Sequence, residues 1–466
     1  MLDKIINTTN DALYSYILII LLVLGGIYFT VRTRFAQIRL LGQQLKSVTE
    51  KTDGKGVSSF QALMVSTASR VGTGNIIGVA TALCLGGFGS VFWMWVIAIV
   101  GAASAFVEST LAQIFKKRGK DGCYGGPAYY IEAATKRRWL AIVFSVLLIL
   151  TYGCGFNMLA SNNLQATFSS YGFYNKAYTP WIIGLVSAVL VCYCLIGGGK
   201  RIVSVTSFLV PIMGAIYIIV ALVISLLNAK LLPDILRQIF DGAFDLDAIF
   251  GGFSGSCVIY GIKRGLFSNE AGVGSAPNAS ASAEVSHPAK QGLVQVLSVF
   301  IDTILVCSAT AFMCMSSGVT PPANSDFAAS YVQESLSVTL GQAGPIFITV
   351  AMVFFAFTTL LGNLFYVDKT INYILGKEPS KMVRNIYYVI ASGLIFAGAG
   401  LSAQMLWNVA DIMMGCMTLI NMPVIIYLGK YAFRTLRHYE GQLKKGDRVS
   451  FRKEEIDLPY ETDYWN

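Results

Sequence analysis

Long apolar runs separated by short polar loops dominate this chain. Eleven apolar cores lie near Ile17–Thr30, Leu63–Gly86, Val91–Ile114, Leu140–Ala166, Trp181–Ile196, Val203–Leu227, Ile249–Ala281, Gly292–Met315, Ile346–Ile374, Tyr387–Gly400 and Met405–Leu428. Most approach or exceed the roughly 20 residues that span a bilayer as a helix, and the shorter ones have flanks that extend them. The pattern predicts an all-α integral membrane protein with 11 transmembrane helices.

Two of these runs are interrupted by polar residues and glycines. The first reads SRVGTGNIIGVA over 69–80, and the second reads GIKRGLFSNEAGVGSAPNAS over 261–280. Setting the first helix aside, ten segments remain, and the interruptions fall in the first and the sixth. A separation of five is odd, so the second half enters the membrane from the opposite side. Interrupted segments at matching positions of oppositely oriented halves point to an inverted-repeat transporter with its site at the breaks. The expected organisation is an N-terminal helix and basic loop (1–57), two five-helix repeats (58–228 and 229–429) and a C-terminal cytoplasmic tail (430–466). A break frees backbone N–H and C=O groups, which are tolerated only facing protein or a wet cavity. Freed N–H groups at a half-helix start suit a carboxylate, and freed carbonyls suit a cation. An amino acid with a co-transported ion needs both.

Composition sharpens this picture. Charged residues make up 13% of the 466 residues and hydrophobic ones 55%, where a soluble chain carries about a quarter charged. The net charge of +9 does not imply nucleic acid, because the Lys and Arg residues gather in alternate loops. One side carries Arg32, Arg34, Arg39, Lys46, Lys51, Lys55, the runs between 116 and 138, Lys200, Arg201, Lys290, Lys377, Lys381, Arg384 and the basic tail. The other carries only Lys4, Lys176, Lys230 and Arg237. The positive-inside rule places the N-terminus outside and the C-terminus in the cytoplasm. The basic runs also suit anionic lipid headgroups. No signal peptide is read at the N-terminus. The nine cysteines lie mostly in apolar segments and read as free buried thiols. Two histidines, His287 and His438, form no metal cluster.

The motifs SRVGTGNIIGVA, GGFGSVFWMWVIAIVG, FVESTLAQIFK, GGPAYYI, RGLFSNEAGVGSAPN and HPAKQG resemble the signature of the alanine/glycine:cation symporter family across nearly the whole chain. The resemblance implies a leucine-transporter-type fold, a 5+5 inverted repeat with one extra N-terminal helix. It also implies sodium-driven uptake of small neutral amino acids across the bacterial plasma membrane.

Candidate substrate residues start at the first break. The amides of Thr73 and Gly74, the Thr73 hydroxyl, Gly72 and the Asn75 side chain are expected to bind the substrate carboxylate. The structural alternative is a close helix contact through Gly74 and Gly78. The run misses the dinucleotide fingerprint by one residue and sits in no βαβ unit. Arg70 reads equally as a gate pair or an anchor. In the second break, Ser268, Asn269, Gly272 and Gly274 are expected near substrate, and Glu270 is expected in a salt bridge that holds the break.

By resemblance to the wider fold, the carbonyls of Ala68, Val71 and Phe355 and the hydroxyls of Thr358 and Thr359 form a sodium site. Hard cations take oxygen ligands; paired threonines otherwise bond back to their own helix. Many family members carry Trp where this chain has Asn363 and Gln where it has Ala160. If both line the pocket, it is larger and differently polar, and glutamine or serine joins alanine and glycine as a substrate. Asn157, Asn162 and Asn163 serve either a polar substrate side chain or helix contacts.

The expected function is a sodium-coupled symporter acting by alternating access, with no cofactor, no enzymatic activity and the monomer as functional unit. A proton-coupled carrier would need Glu108, Asp302, Asp411 or Glu270 to titrate. An ion channel would need a repeated filter, and none is seen.

Overall fold

The computed structural model describes residues 8–10, 12–50, 56–119, 122–245 and 256–465. Lys4, Lys51, Lys55 and Lys120, which enter the charge asymmetry, lie outside the described residues. So do positions 249–255 of the seventh apolar core.

The chain folds into helices joined by short loops. In order, those that matter for the site are α1 (Leu18–Arg32), α2 (Ser59–Arg70), α3 (Val79–Gly86), α4 (Gly89–Ile114), α5 (Arg138–Ala166), α6 (Thr179–Ile196) and α7 (Gly198–Leu227). They continue with α8 (Ser256–Asn269), α9 (Pro277–Ser282), α10 (Pro288–Met315), α11 (Ala343–Leu375), α12 (Lys381–Ala399) and α13 (Ala403–Lys445). A two-stranded hairpin pairs Lys117–Gly119 with Gly122–Tyr124, and a short helix forms at Pro127–Thr135.

The expectation of 11 spans in a leucine-transporter-type inverted repeat is not matched. Among the described residues, 8 helices are long and apolar enough to cross a membrane: α4, α5, α6, α7, α10, α11, α12 and α13. The physical reason lies in the other three apolar runs. In the first run the regular α-helix covers only the 15 residues of α1, preceded by a wider helical turn at Leu13–Ile17. The runs at 63–86 and 249–281 do not form single helices. The first stops at Arg70, and the second stops at Asn269 and resumes at Pro277. Counting apolar residues cannot see that a helix has been cut.

Burial separates an inner set of helices from an outer one. The most apolar windows of α4 and α10 are 67% buried, whereas those of α7 and α12 are 28% buried and turn their apolar sides outward. Small residues bring the inner helices together. A Cβ on Gly261 would lie 2.5 Å from the Ser90 carbonyl oxygen, and one on Gly265 would lie 2.5 Å from Ile97. This four-residue glycine spacing lets α8 press against α4. The C-terminal residues fold back on the bundle, where the Trp465 indole donates to the Gln113 carbonyl (2.7 Å).

Candidate functional site

The first break is built locally. Helix α2 starts in a capping box, with Gln61 N–H donating to the Ser58 hydroxyl and Ser58 N–H to the Gln61 side chain. It ends at Val71, whose backbone turns extended (φ −79°, ψ 91°). The chain re-enters a wide helical turn at Gly74–Gly78 and then α3. Asn75 holds the break, because its Oδ1 accepts from the Gly72 N–H (2.7 Å). Its Nδ2 donates to Asp302 Oδ1 (2.6 Å) and to Ser268 Oγ (3.1 Å). One side chain thus ties the first break to α8 and α10.

The second break follows α8. Glu270 takes a left-handed backbone (φ 54°), and Gly272 and Gly274 follow at φ 83° and 91°, where glycine is unstrained. Glu108 on α4 accepts from the Gly272 N–H (3.3 Å) and from Asn421 (3.0 Å), which also donates to the Gly272 carbonyl (2.9 Å). Freed backbone groups here are therefore paired with side chains of neighbouring helices.

The two breaks meet at a small cavity of about 10 Å³, room for about one water molecule. Its wall comprises Ser69, Arg70, Gly72, Thr73, Gly74, Phe156, Phe267, Glu270 and Thr359. Of the residues expected at the substrate and sodium sites, Gly72, Thr73, Gly74 and Thr359 come together here. A Cβ on Gly72 would sit 1.8 Å from Thr359 Oγ1, so this glycine lets the break touch α11. Thr73 Oγ1 accepts from Asn163 (3.1 Å). Ser69 Oγ reaches Glu270 (3.0 Å) and Asn363 (2.7 Å), and Asn363 in turn donates to Asn157 (2.9 Å). Asn363 therefore sits behind the cavity wall. Asn75, Ala160, Asn269, Gly272 and Gly274 are also absent from the wall; Asn269 Oδ1 accepts from the Ala271 N–H (3.1 Å). Asn162 bonds the Leu401 carbonyl (2.8 Å) as a helix contact.

The expected sodium ligands fall where α2 meets α11. A Cβ on Gly362 would lie 2.6 Å from Ser69 N and 3.1 Å from the Ala68 carbonyl carbon, so the end of α2 rests directly on α11. Thr358 Oγ1 donates to the carbonyls of Phe354 (3.0 Å) and Phe355 (3.2 Å). Donating in this way leaves its lone pairs available. Thr359 Oγ1 is buried with no hydrogen-bond partner. No cluster of three or more His, Cys, Asp or Glu with metal-binding geometry occurs among the described residues.

Aromatic rings cover one side. Phe267 packs on Phe156 (centroids 4.5 Å apart) and Trp407 (4.6 Å), and the Arg264 guanidinium lies 4.2 Å from the Trp407 ring centre. Asp411 pairs with Arg264 (2.6 Å) and Lys263 (3.0 Å). Neither Phe156 nor Phe267 is marked in the sequence, because an aromatic residue in an apolar run carries no distinguishing signal, and a lone serine such as Ser69 carries none either.

Interrupted helices around a buried polar cavity, inside a bundle of apolar spans, define a membrane transport protein. Such a fold resembles that of a solved Na+-coupled sialic acid symporter in its substrate-bound outward-open state, with a TM-score of 0.51 at 14% identity over 96% of this chain and 94% of that one. That likeness is one of fold alone. The sodium:alanine symporter family model matches residues 1–453, and the chain belongs to that family. Its relatives include the Bacillus subtilis amino-acid carrier protein AlsT, 42% identical over 97% of this chain and 96% of that protein. The probable sodium/glutamine symporter GlnT of the same organism is 39% identical over 97% and 94%. The protein is therefore a multi-pass membrane symporter that moves small neutral amino acids such as alanine with Na+, and not an enzyme.

Proposed function

We propose that substrate and sodium bind side by side at the first break and cross by alternating access. The Thr73 and Gly74 amides and the Thr73 hydroxyl hold the substrate carboxylate. The carbonyls of Ala68, Val71 and Phe355 and the hydroxyls of Thr358 and Thr359 hold sodium. Asn75, Gly272 and Gly274 keep the two breaks in shape, Asn269 backs the second, and Asn363 and Ala160 tune the pocket from behind. The observation that carries this reading is Thr359 Oγ1, a buried hydroxyl oxygen without a partner, which abuts Gly72 in the cavity wall. Such an oxygen costs stability unless a ligand completes it. To admit even alanine the cavity must widen, and the Phe156–Phe267–Trp407 stack with the Arg264–Asp411 pair is the group of side chains to displace.

The N-terminus faces outward and the tail the cytoplasm, following the Lys and Arg asymmetry, and the monomer is the working unit. One Na+ crossing 100 mV supplies about 2.3 kcal/mol, and a tenfold gradient adds about 1.4 kcal/mol. Together they support accumulation on the order of several hundredfold. GlnT's name raises glutamine as a substrate, and the polar Asn157–Asn363 pair gives that reading a basis.

The test is radiolabelled alanine uptake into proteoliposomes under an inward sodium gradient, with glycine, serine and glutamine as competitors. Sodium-driven accumulation lost in Thr359→Ala is the expected result. Uptake driven by a proton gradient alone would overturn the ion site, and stronger competition by glutamine than by alanine would reassign the substrate.

A further inference from the structure

Arg70 closes α2 and is 2% exposed. Its Nη1 donates to Gln295 Oε1 (2.9 Å), and Gln295 is itself held by its Nε2 donating to Ser66 Oγ (2.8 Å). The other two guanidinium nitrogens, Nε and Nη2, are buried and have no hydrogen-bond partner. They belong to the same edge of the guanidinium, the one whose two parallel N–H bonds match the two oxygens of a carboxylate. Leaving charged donors idle in a protein interior is expensive. Three carboxylates, Glu108, Glu270 and Asp302, lie within electrostatic reach of Arg70, yet each takes its hydrogen bonds from other groups. Glu270 accepts from Ser69 and Ser275, Glu108 from Gly272 and Asn421, and Asp302 from Asn75, Ser268 and Thr303. Arg70 itself forms part of the cavity wall, beside Gly72, Thr73 and Gly74.

We propose that the idle edge of Arg70 is a second carboxylate-reading element, which joins the amides of the break in binding the transported amino acid and excludes substrates without a free carboxylate. Gln295 pins the guanidinium at its far corner and so orients the fork. The assignment deepens the transport reading above and rests on it. It also makes Arg70 different from an anchor: an anchor has its donors spent, and this one holds two in reserve.

The test compares wild type, Arg70→Lys, Arg70→Gln and Gln295→Met in proteoliposomes. It measures the KM for alanine and the inhibition constants of alanine and alaninamide, which keeps the ammonium group and lacks the carboxylate. Arg70→Gln should raise the alanine KM on the order of 10- to 100-fold, the loss of one to two charge-assisted hydrogen bonds. The preference for alanine over alaninamide should fall by a similar factor. Arg70→Lys, which keeps the charge and loses the fork, should lie between. Gln295→Met should raise KM and lower the preference more mildly. An unchanged KM and preference in Arg70→Gln, with any loss confined to folded yield or maximal rate, would overturn the proposal. Should Arg70→Gln not fold, an unchanged preference in Gln295→Met would do the same. Absence of sodium-driven uptake in wild type would instead overturn the transport reading on which it rests.

Discussion

Gly72→Ala offers a sharp test of how the first break is packed. Gly72 is not among the glycines with positive φ, so alanine meets no backbone strain there. The whole penalty is steric. The new Cβ would lie 1.8 Å from Thr359 Oγ1, 3.0 Å from Thr359 Cβ and 3.4 Å from Thr359 Cγ2. To reach ordinary contact the break and α11 must part by about 1.6 Å, from 1.8 Å to 3.4 Å. They cannot part cheaply, because Gly362 one turn along α11 already touches the backbone of Ser69 and Ala68. A rotation of Thr359 removes the worst overlap but leaves its Cβ at 3.0 Å. Overpacking of this kind costs about 1–3 kcal/mol. Thr359→Ala trims the clash to that same 3.0 Å contact, so the double variant should recover about 1 kcal/mol relative to the sum of the single changes. The assay is a double-mutant cycle of unfolding in detergent, with sodium-driven alanine uptake measured in parallel. Additive free energies, or wild-type uptake by Gly72→Ala, would refute the contact between break and α11 as the reason for this glycine.

Other outcomes follow from the same geometry. Asn75→Ala strands the Gly72 N–H and removes a donor from Asp302; it should cost about 1–3 kcal/mol for each buried group left unpaired and abolish uptake, and an unchanged melting temperature would argue against the cross-link. Asp411→Asn removes the buried carboxylate that pairs with Arg264 and Lys263 and should cost about 3–5 kcal/mol, with most of that recovered when both cations are also replaced by Met; thermal unfolding of the variants checks it. Burial, with His438 and Lys290 nearby, holds His287 well below the ordinary imidazole value of 6.5. The unfolded chain therefore takes up a proton below pH 6.5 that the folded chain refuses, so stability should fall on acidification through that point. Unfolding at pH 7 and pH 5 should show a smaller acid loss in His287→Gln than in wild type.

The breaks were legible in the sequence because their chemistry is local. Glycine, asparagine and a glutamate inside apolar runs weaken a helix wherever the runs end up, and the helices do stop at Arg70 and at Asn269. The number of spans was not legible. Apolar length says only that a run avoids water, and it gives the same signal for one helix or two halves. The tail, EEIDLPYETDYWN, was also unreadable, since it packs on distant parts of the chain, as where the Trp465 indole donates to a carbonyl 352 positions away.

By itself, then, the sequence determined that this is a helical membrane protein, where two of its helices break and to which family its motifs belong. These properties follow from hydropathy and backbone preference over a few residues at a time. Only the tertiary structure decided how the polar groups pair. Asn75 meets Asp302 at a separation of 227 residues, Ser69 meets Glu270 at 201, and Arg70 meets Gln295 at 225 while keeping one edge free. A buried polar group is defined by the partner that packing brings to it, and that partner comes from another helix, which no local pattern encodes.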